Sequence, residues 1–369
     1  MAPRQGARRQ GPGAPHRRGG YQHWLGADSL EYVSEPYCCR VYDNDEREVI
    51  LPGYRVDALT NAAIAHIDRV RGGGQPFFLF LGQLEPHAQN SFGATIAPDG
   101  YAQRYESRWV PPDLRALSST RHWEIEQPVG GESARNLGEY WGCCKRLDES
   151  FGQLLDALKS MRLLDNTIVV FTSDHGSQFA TRNWDGKCSC HDAAARVPGA
   201  IWGGPFIGGG CVRQMVSLVD LAPTLLDACG LTSPDTMQGH SFLPLLGGRT
   251  DPVFDDLFIQ VSQTEVGRAV RTRSWKYGVV GCDAEGKDLP GMDHASADTY
   301  REAYLYDLDN DPHELKNLVG MTTHRAVADV MRDRLLRRIR LAGEAEPTIV
   351  AAPPRPGGQR RVAPERNHH

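Results

Sequence analysis

An aspartate and a histidine stand side by side at positions 174 and 175, directly after the apolar run Ile168-Val169-Val170-Phe171. That run reads as a buried strand, so the pair is delivered to one point at a strand end. Both are metal-ligand types, and the carboxylate of Asp174 favours hard divalent ions such as Ca2+ or Mg2+. The same aspartate could instead make local backbone hydrogen bonds in a turn. Lys187 follows on a loop, behind Gly186. Brought to such a site, a lysine binds an anionic oxygen or protonates a leaving group; elsewhere it is a solvated surface cation. Cys188, Cys190 and His191 are zinc-ligand types, but Cys-x-Cys-His lacks a second cysteine pair at the usual spacing. His87 closes the stretch Glu85-Pro86-His87 after another apolar run, Phe77 to Leu81. Asp307, Asp309 and Asp311 imitate the start of an EF-hand loop. Pro312 and Leu318 occupy the positions that need Gly and Glu, which leaves an acidic turn.

The elements that must place these groups alternate between helix and strand. Val56, Leu59, Ala63, Ile67 and Val70 recur at helical spacing, and Gly72-Gly73-Gly74 ends that helix. Phe77 to Leu81 reads as a strand buried on both faces, stopped by Pro86. A polar insertion runs to about Gly131. Leu137, Tyr140, Cys144, Leu147, Phe151, Leu154, Leu158 and Met161 then mark a long amphipathic helix. Asp165-Asn166 turns the chain into the strand Thr167 to Phe171. Gly199 to Trp202 reads as a third strand. Asp220 caps a helix that admits Pro223 in its first turn and ends at Gly230. Strands separated by helices imply crossovers and an α/β fold with a mostly parallel sheet flanked by helices. Ligands bind beyond the carboxyl ends of such strands, which predicts His87 near Asp174 and His175. From about Arg249 the pattern changes: Ala269 to Val280 and Tyr304 to Leu308 read as strands, and a helix covers about Arg325 to Ala342. The expected organisation is a disordered basic leader over 1–20, an α/β domain over 21–248, a smaller α+β subdomain over 249–345 and a disordered tail over 346–369.

Bulk properties narrow the classes. The 369 residues carry a net charge of -5, which gives no argument for nucleic acid or an anionic membrane surface. No apolar run approaches the roughly 20 residues that span a bilayer, and no secretory signal is visible. Nine cysteines, two pairs of them adjacent (Cys38-Cys39 and Cys143-Cys144), favour reduced thiols and a cytoplasmic setting.

Taken together, the stretches resemble the sulfatase family of the alkaline phosphatase superfamily, over about Tyr21 to Gly320. The resemblance lies in Thr167-Ile-Val-Val-Phe-Thr-Ser-Asp-His-Gly176, Gly186-Lys187, Arg196-Val197-Pro198 and Ser217-Leu-Val-Asp-Leu-Ala-Pro-Thr-Leu-Leu226. It lies also in Pro76-Phe-Phe-Leu-Phe80 leading to Glu85-Pro86-His87, in Arg273-Ser-Trp-Lys-Tyr277, and in the stretch from Tyr304 to Leu318. It implies hydrolysis of a sulfuric ester, aryl or carbohydrate, on a sulfated small molecule or sugar. Asp174 and His175 would then be two ligands of an active-site Ca2+. Lys187 would bind the sulfate ester and help the alcohol depart, and His87 would contact the sulfate or donate a proton. His191 would line the substrate pocket.

Two family features have no counterpart. The paired aspartates that complete the calcium site are absent, and no Cys-x-Pro-x-Arg (or its serine form), the source of the formylglycine nucleophile, occurs around any cysteine or serine. The family's first strand has no counterpart either, so an exposed sheet edge and self-association are expected. Two further readings fit the same residues: a non-catalytic fragment or pseudoenzyme that binds anionic ligands through His87, Lys187 and His191, and a phosphodiesterase or phosphonate hydrolase of the same superfamily.

Overall fold

The computed structural model describes residues 11–89, 93–105, 109–116, 132–183 and 185–357. The first half of the expected leader and the end of the expected tail lie outside these residues. In chain order the elements are α1 (Leu30–Val33), β1 (Cys39–Tyr42), β2 (Glu48–Leu51), α2 (Arg55–Val70), α3 (Pro112–Ala116) and α4 (Glu132–Ser160). Then come β3 (Val169–Thr172), α5 (Asp192–Ala195), β4 (Gly199–Trp202) and α6 (Leu221–Ala228). The remainder is β5 (Asp256–Val261), β6 (Gly267–Thr272), β7 (Trp275–Gly281), β8 (Thr299–Asp307), α7 (Arg325–Leu341) and β9 (Thr348–Val350). Among the described residues, no helix is long and apolar enough to cross a membrane.

The chain forms two units. The first holds residues 1–110 and 127–167. Its apolar centre joins Cys39 and Val41 of β1 to Ala58 and Leu59 of α2, with Leu81 packed alongside. Buried groups are paired here: Arg55 holds Glu85 at 2.7 Å, with both side chains almost fully enclosed. The expected strand at 77–81 is laid out beside this centre but joins no ladder among the described residues, and Phe78 and Phe80 are each 71% exposed. An apolar run encodes a preference for burial; it does not encode which neighbour supplies the hydrogen bonds.

The second unit holds residues 111–126 and 168–369. Its α/β part contains β3 and β4, which pair antiparallel with Val169 opposite Trp202 and Thr172 opposite Gly199. The α/β class holds, but the expected parallel pairing does not form between these strands. Among the described residues the one parallel pair of named strands is β8 with β9, at residues 299–301 and 348–350. Asp220 ends the turn before α6: its carboxylate accepts the N–H of Ser217 at 2.8 Å and of His240 at 2.9 Å. Pro223 lies in the first turn, and Gly230 follows the helix at φ 71°.

The rest of this unit is a five-stranded sheet in the order β5-β6-β7-β8-β9. The stretch expected as one strand over 269–280 is split by the tight turn at Arg273-Ser274 into β6 and β7. Side chains alternate between faces along each strand. Val270, Tyr277 and Leu305 stand opposite one another in register and pack beneath α7, whose Ala328, Met331, Leu335 and Ile339 recur at helical spacing. The neighbouring rows therefore face the other way. Ala269, Gly278 and Tyr304 make one such row, and Arg271, Lys276 and Tyr306 the next.

Candidate active site

The Asp174-His175 turn begins where β3 ends. Its backbone is closed locally: the His175 N–H donates to Asp174 Oδ1 at 2.8 Å, and the Ser173 hydroxyl donates to the His175 carbonyl at 2.9 Å. His175 Nδ1 lies 2.9 Å from the Gly176 carbonyl, so that nitrogen carries a proton and Nε2 keeps its lone pair in the neutral ring. Nε2 faces Asp174 Oδ2 at 3.2 Å. Gly176 anchors the turn. Its N–H donates to the Ala194 carbonyl at 2.8 Å, and a Cβ there would sit 2.2 Å from the Ala193 carbonyl oxygen. Only glycine permits that approach to α5.

Lys187 lies on a loop folded around the buried side chain of Gln178. The Gln178 N–H donates to the Gly186 carbonyl at 2.7 Å, and its amide reaches Asn183 Oδ1 at 2.9 Å and the Asp185 carbonyl at 2.8 Å. Asp185 Oδ1 accepts the Lys187 N–H at 2.8 Å, and its other oxygen accepts from Gln263 at 2.9 Å. Thr264 donates to the Cys188 carbonyl at 2.7 Å. His191 is 3% exposed. Its ring nitrogens meet Ser189 Oγ at 3.0 Å and the Tyr306 hydroxyl at 3.0 Å. Burial, then the cations Arg182 and Lys276, hold this imidazole well below its usual range and keep it neutral. Cys190 packs against Val261 and Ala269, and burial pushes its thiol up, the opposite of what a zinc thiolate needs.

The polar row of the five-stranded sheet supports this loop. Lys276, fully buried, reaches Asp192 Oδ1 at 2.5 Å and Glu314 Oε1 at 2.6 Å. Arg271 holds Asp192 Oδ2 at 2.8 Å, and the Asp192 N–H donates to Glu314 Oε2 at 2.7 Å. Burial works to raise the Asp192 carboxyl, but Arg271 and Lys276 prevail and hold it below the carboxylate range. Burial keeps Glu314 raised despite Lys276. The first residue of α5 is thus tied to β6 and β7, and His191 before it to β8.

His87 belongs to the first unit. Its Nε2 lies 3.6 Å from Glu31, and its Nδ1 lies 2.6 Å from the Ala88 carbonyl. The calcium implied by the family resemblance was tested against the donors present. Asp174 and His175 offer one carboxylate and one imidazole, and the Asp174 side chain is 81% exposed. Among the described residues, no three His, Cys, Asp or Glu side chains gather where a metal ion could sit. Two donors do not fit a closed calcium site, which takes six to eight oxygens.

This architecture has known counterparts. The chain superposes on the Bacteroides fragilis protein yidJ with a TM-score of 0.72 and 23% identity, covering 91% of this chain and 69% of that one. It superposes on BT4656, solved with its substrate D-glucosamine-2-N,6-O-disulfate, with a TM-score of 0.64 and 21% identity, covering 89% and 78%. For the phosphonate monoester hydrolase of Agrobacterium radiobacter the TM-score is 0.60 at 22% identity, covering 79% and 63%. The fold is alkaline phosphatase-like.

Within that class the chain belongs to the sulfatase family, whose model matches residues 4–231. A second model, N-sulphoglucosamine sulphohydrolase, C-terminal, matches residues 182–340. Arylsulfatase K of Xenopus laevis is 27% identical over 283 residues, 68% of this chain and 49% of that protein. Choline-sulfatase of Rhizobium meliloti is 32% identical over 189 residues, 50% of this chain and 33% of that protein. The chain spans half or less of these two relatives.

Lys276 and Tyr306 entered only within stretches that resemble the family, and Arg271, Asp192 and Gln178 were not singled out from the sequence. One signal was available: Arg271 and Lys276 fall inside stretches that read as strands, and a charge in a strand that must be covered on both faces needs a partner.

Proposed function

We propose that this chain acts in the hydrolysis of sulfuric esters, aryl or carbohydrate, with Lys187 as the group that meets the ester. Membership of the sulfatase family supports the reaction class. The observation that carries the residue assignment is the rigid seating of the Lys187 loop beside the Asp174-His175 turn, through α5 and Gly176. A sulfate ester spreads negative charge over its oxygens and concentrates it on the leaving oxygen as the S–O bond breaks. An ammonium carried on a held loop binds the former and can protonate the latter. For His87 the role of sulfate contact or proton donor rests on resemblance to the family alone. Asp174 and His175 add a carboxylate and an imidazole at the strand end, and do not close a metal site by themselves. A sulfated sugar as substrate is in keeping with the disulfated glucosamine named as substrate for BT4656 and with the C-terminal sulphohydrolase match. The exposed aromatic rings of Phe78 and Phe80 support association between copies.

The test is release of sulfate from 4-nitrophenyl sulfate and from D-glucosamine-2-N,6-O-disulfate, with 4-nitrophenyl phosphate as a third arm. Lys187→Ala is expected to lower sulfate release by about 10²–10³-fold without moving the unfolding midpoint. Turnover of the phosphate ester alone would replace this reading by phosphoester or phosphonate hydrolysis. Binding of sulfate without turnover of any ester would replace it by a non-catalytic anion-binding role.

A further inference from the structure

We propose that His191 is a positioning residue, held as the Nδ1–H tautomer in a one-way chain of hydrogen bonds from Tyr306 on β8 to the peptide that precedes Lys187. This replaces the direct substrate contact expected of His191 from the sequence. Its relevance to the reaction rests on the assignment of Lys187 above.

The direction of every link follows from which atoms can donate. The Gln178 amide lies 2.8 Å from the Asp185 main-chain carbonyl, which only accepts, so the NH2 faces it. The second amide hydrogen goes to Asn183 Oδ1, which also accepts the Asp185 N–H at 2.9 Å and is therefore the oxygen of that side chain. Both Gln178 hydrogens are spent, so its Oε1 accepts, and Ser189 Oγ at 2.5 Å must be the donor. A hydroxyl has one hydrogen. Ser189 therefore accepts from His191, and Nδ1 carries the proton. A neutral imidazole with Nδ1 protonated has its lone pair on Nε2, which accepts from the Tyr306 hydroxyl. The opposite tautomer would set a lone pair against a spent oxygen at Ser189, inside a site where Gln178 is 0%, His191 3% and Tyr306 4% exposed. An unmade bond there is costly.

The chain ends where it matters for Lys187. Gln178 fixes the Asp185 carbonyl through its side chain and the Gly186 carbonyl through its backbone. The peptides leading into Lys187 are thus referred to strand β8 through four side chains, while Asp192, the residue after His191, is clamped to β6 and β7.

The full chain labelled with 15N-histidine reads the tautomer directly by long-range 1H–15N correlation, with His191 identified by its loss in His191→Asn. At neutral pH the expected pattern is a protonated Nδ1 and an unprotonated Nε2. Tyr306→Phe should shift the Nε2 resonance and leave Nδ1–H in place. In the same variant, deuterium uptake across residues 178–188 should quicken about tenfold, the size of one lost buried hydrogen bond. Sulfate release should fall in kcat with KM unchanged. Should Tyr306→Phe not fold, Ser189→Ala breaks the chain from the other end and is read in the same way. An Nε2–H tautomer, an imidazolium, or unchanged uptake in these variants overturns the proposal. A wild-type chain that shows the tautomer and the exchange effect but releases no sulfate would sink the assignment of Lys187 and leave the positioning of its loop standing.

Discussion

Two sheets of the second unit meet the candidate site, and they differ in what they contribute. The pair β3–β4 leads into the Asp174-His175 turn but is thin. Trp202 at its end is 45% exposed, and three of the four residues of β4 lie at the surface. The five-stranded sheet supplies neither Asp174, His175 nor Lys187. Yet its polar row grips α5 through Lys276 and Arg271, and its Tyr306 reaches His191. Gly176 then locks the turn to α5. The strand delivers the acid–histidine pair; the C-terminal sheet decides where it is held.

Substitutions that sever the larger sheet from α5 should therefore cost more than any change on β3–β4. Lys276→Met leaves Asp192 and Glu314 buried with one cation fewer, a change worth about 3–5 kcal/mol. Chemical denaturation should show it, with Trp202→Ala as the mild control on β4. Equal losses in the two variants would break the distinction. Gly176→Ala comes next. The added Cβ must push α5 away, and a loss of about 2 kcal/mol or more is expected, with sulfate release lost even where the fold survives.

A third change tests the far rim of the sheet by pH. Burial pushes the Glu265 carboxyl up from 4.5 to about 7; Asp288 adds to the rise, while Tyr304 and Arg301 oppose it. The folded chain thus holds this proton more tightly than the unfolded chain. That contribution to stability is complete below the unfolded value and is lost as pH rises through about 7. Glu265→Gln should remove the loss and raise stability at pH 8 by about 1–2 kcal/mol after solvent screening. Identical melting curves for the two proteins at pH 8 would contradict it. Smallest in stability is Phe78→Ser with Phe80→Ser, expected within about 0.5 kcal/mol of the parent. Light scattering should show weaker self-association; unchanged oligomers would clear these two rings of the role.

What was legible follows the same division. Helix α4, helix α7 and the strand before Asp174 were readable because periodicity and apolar runs report burial directly. The run at 77–81 was readable as extended but not as unpaired, since pairing depends on a neighbour distant in sequence. Asp174 and Lys187 stood out by residue type and by resemblance to the family. Their supports did not, because Lys276 and Arg271 look like surface residues until the register of β6 and β7 turns them inward together. Gln178 and Ser189 carry no charge and gave no signal at all.

The two-residue turn at Arg273-Ser274 sets that register. Because faces alternate at every residue, lengthening or shortening it by one would carry Lys276 to the side covered by α7 and bring Tyr277 toward α5. The spelling of a hairpin that touches no substrate is thus a coding constraint on the site. Point substitutions in this turn should be far better tolerated by lineages of this protein than a single-codon insertion or deletion.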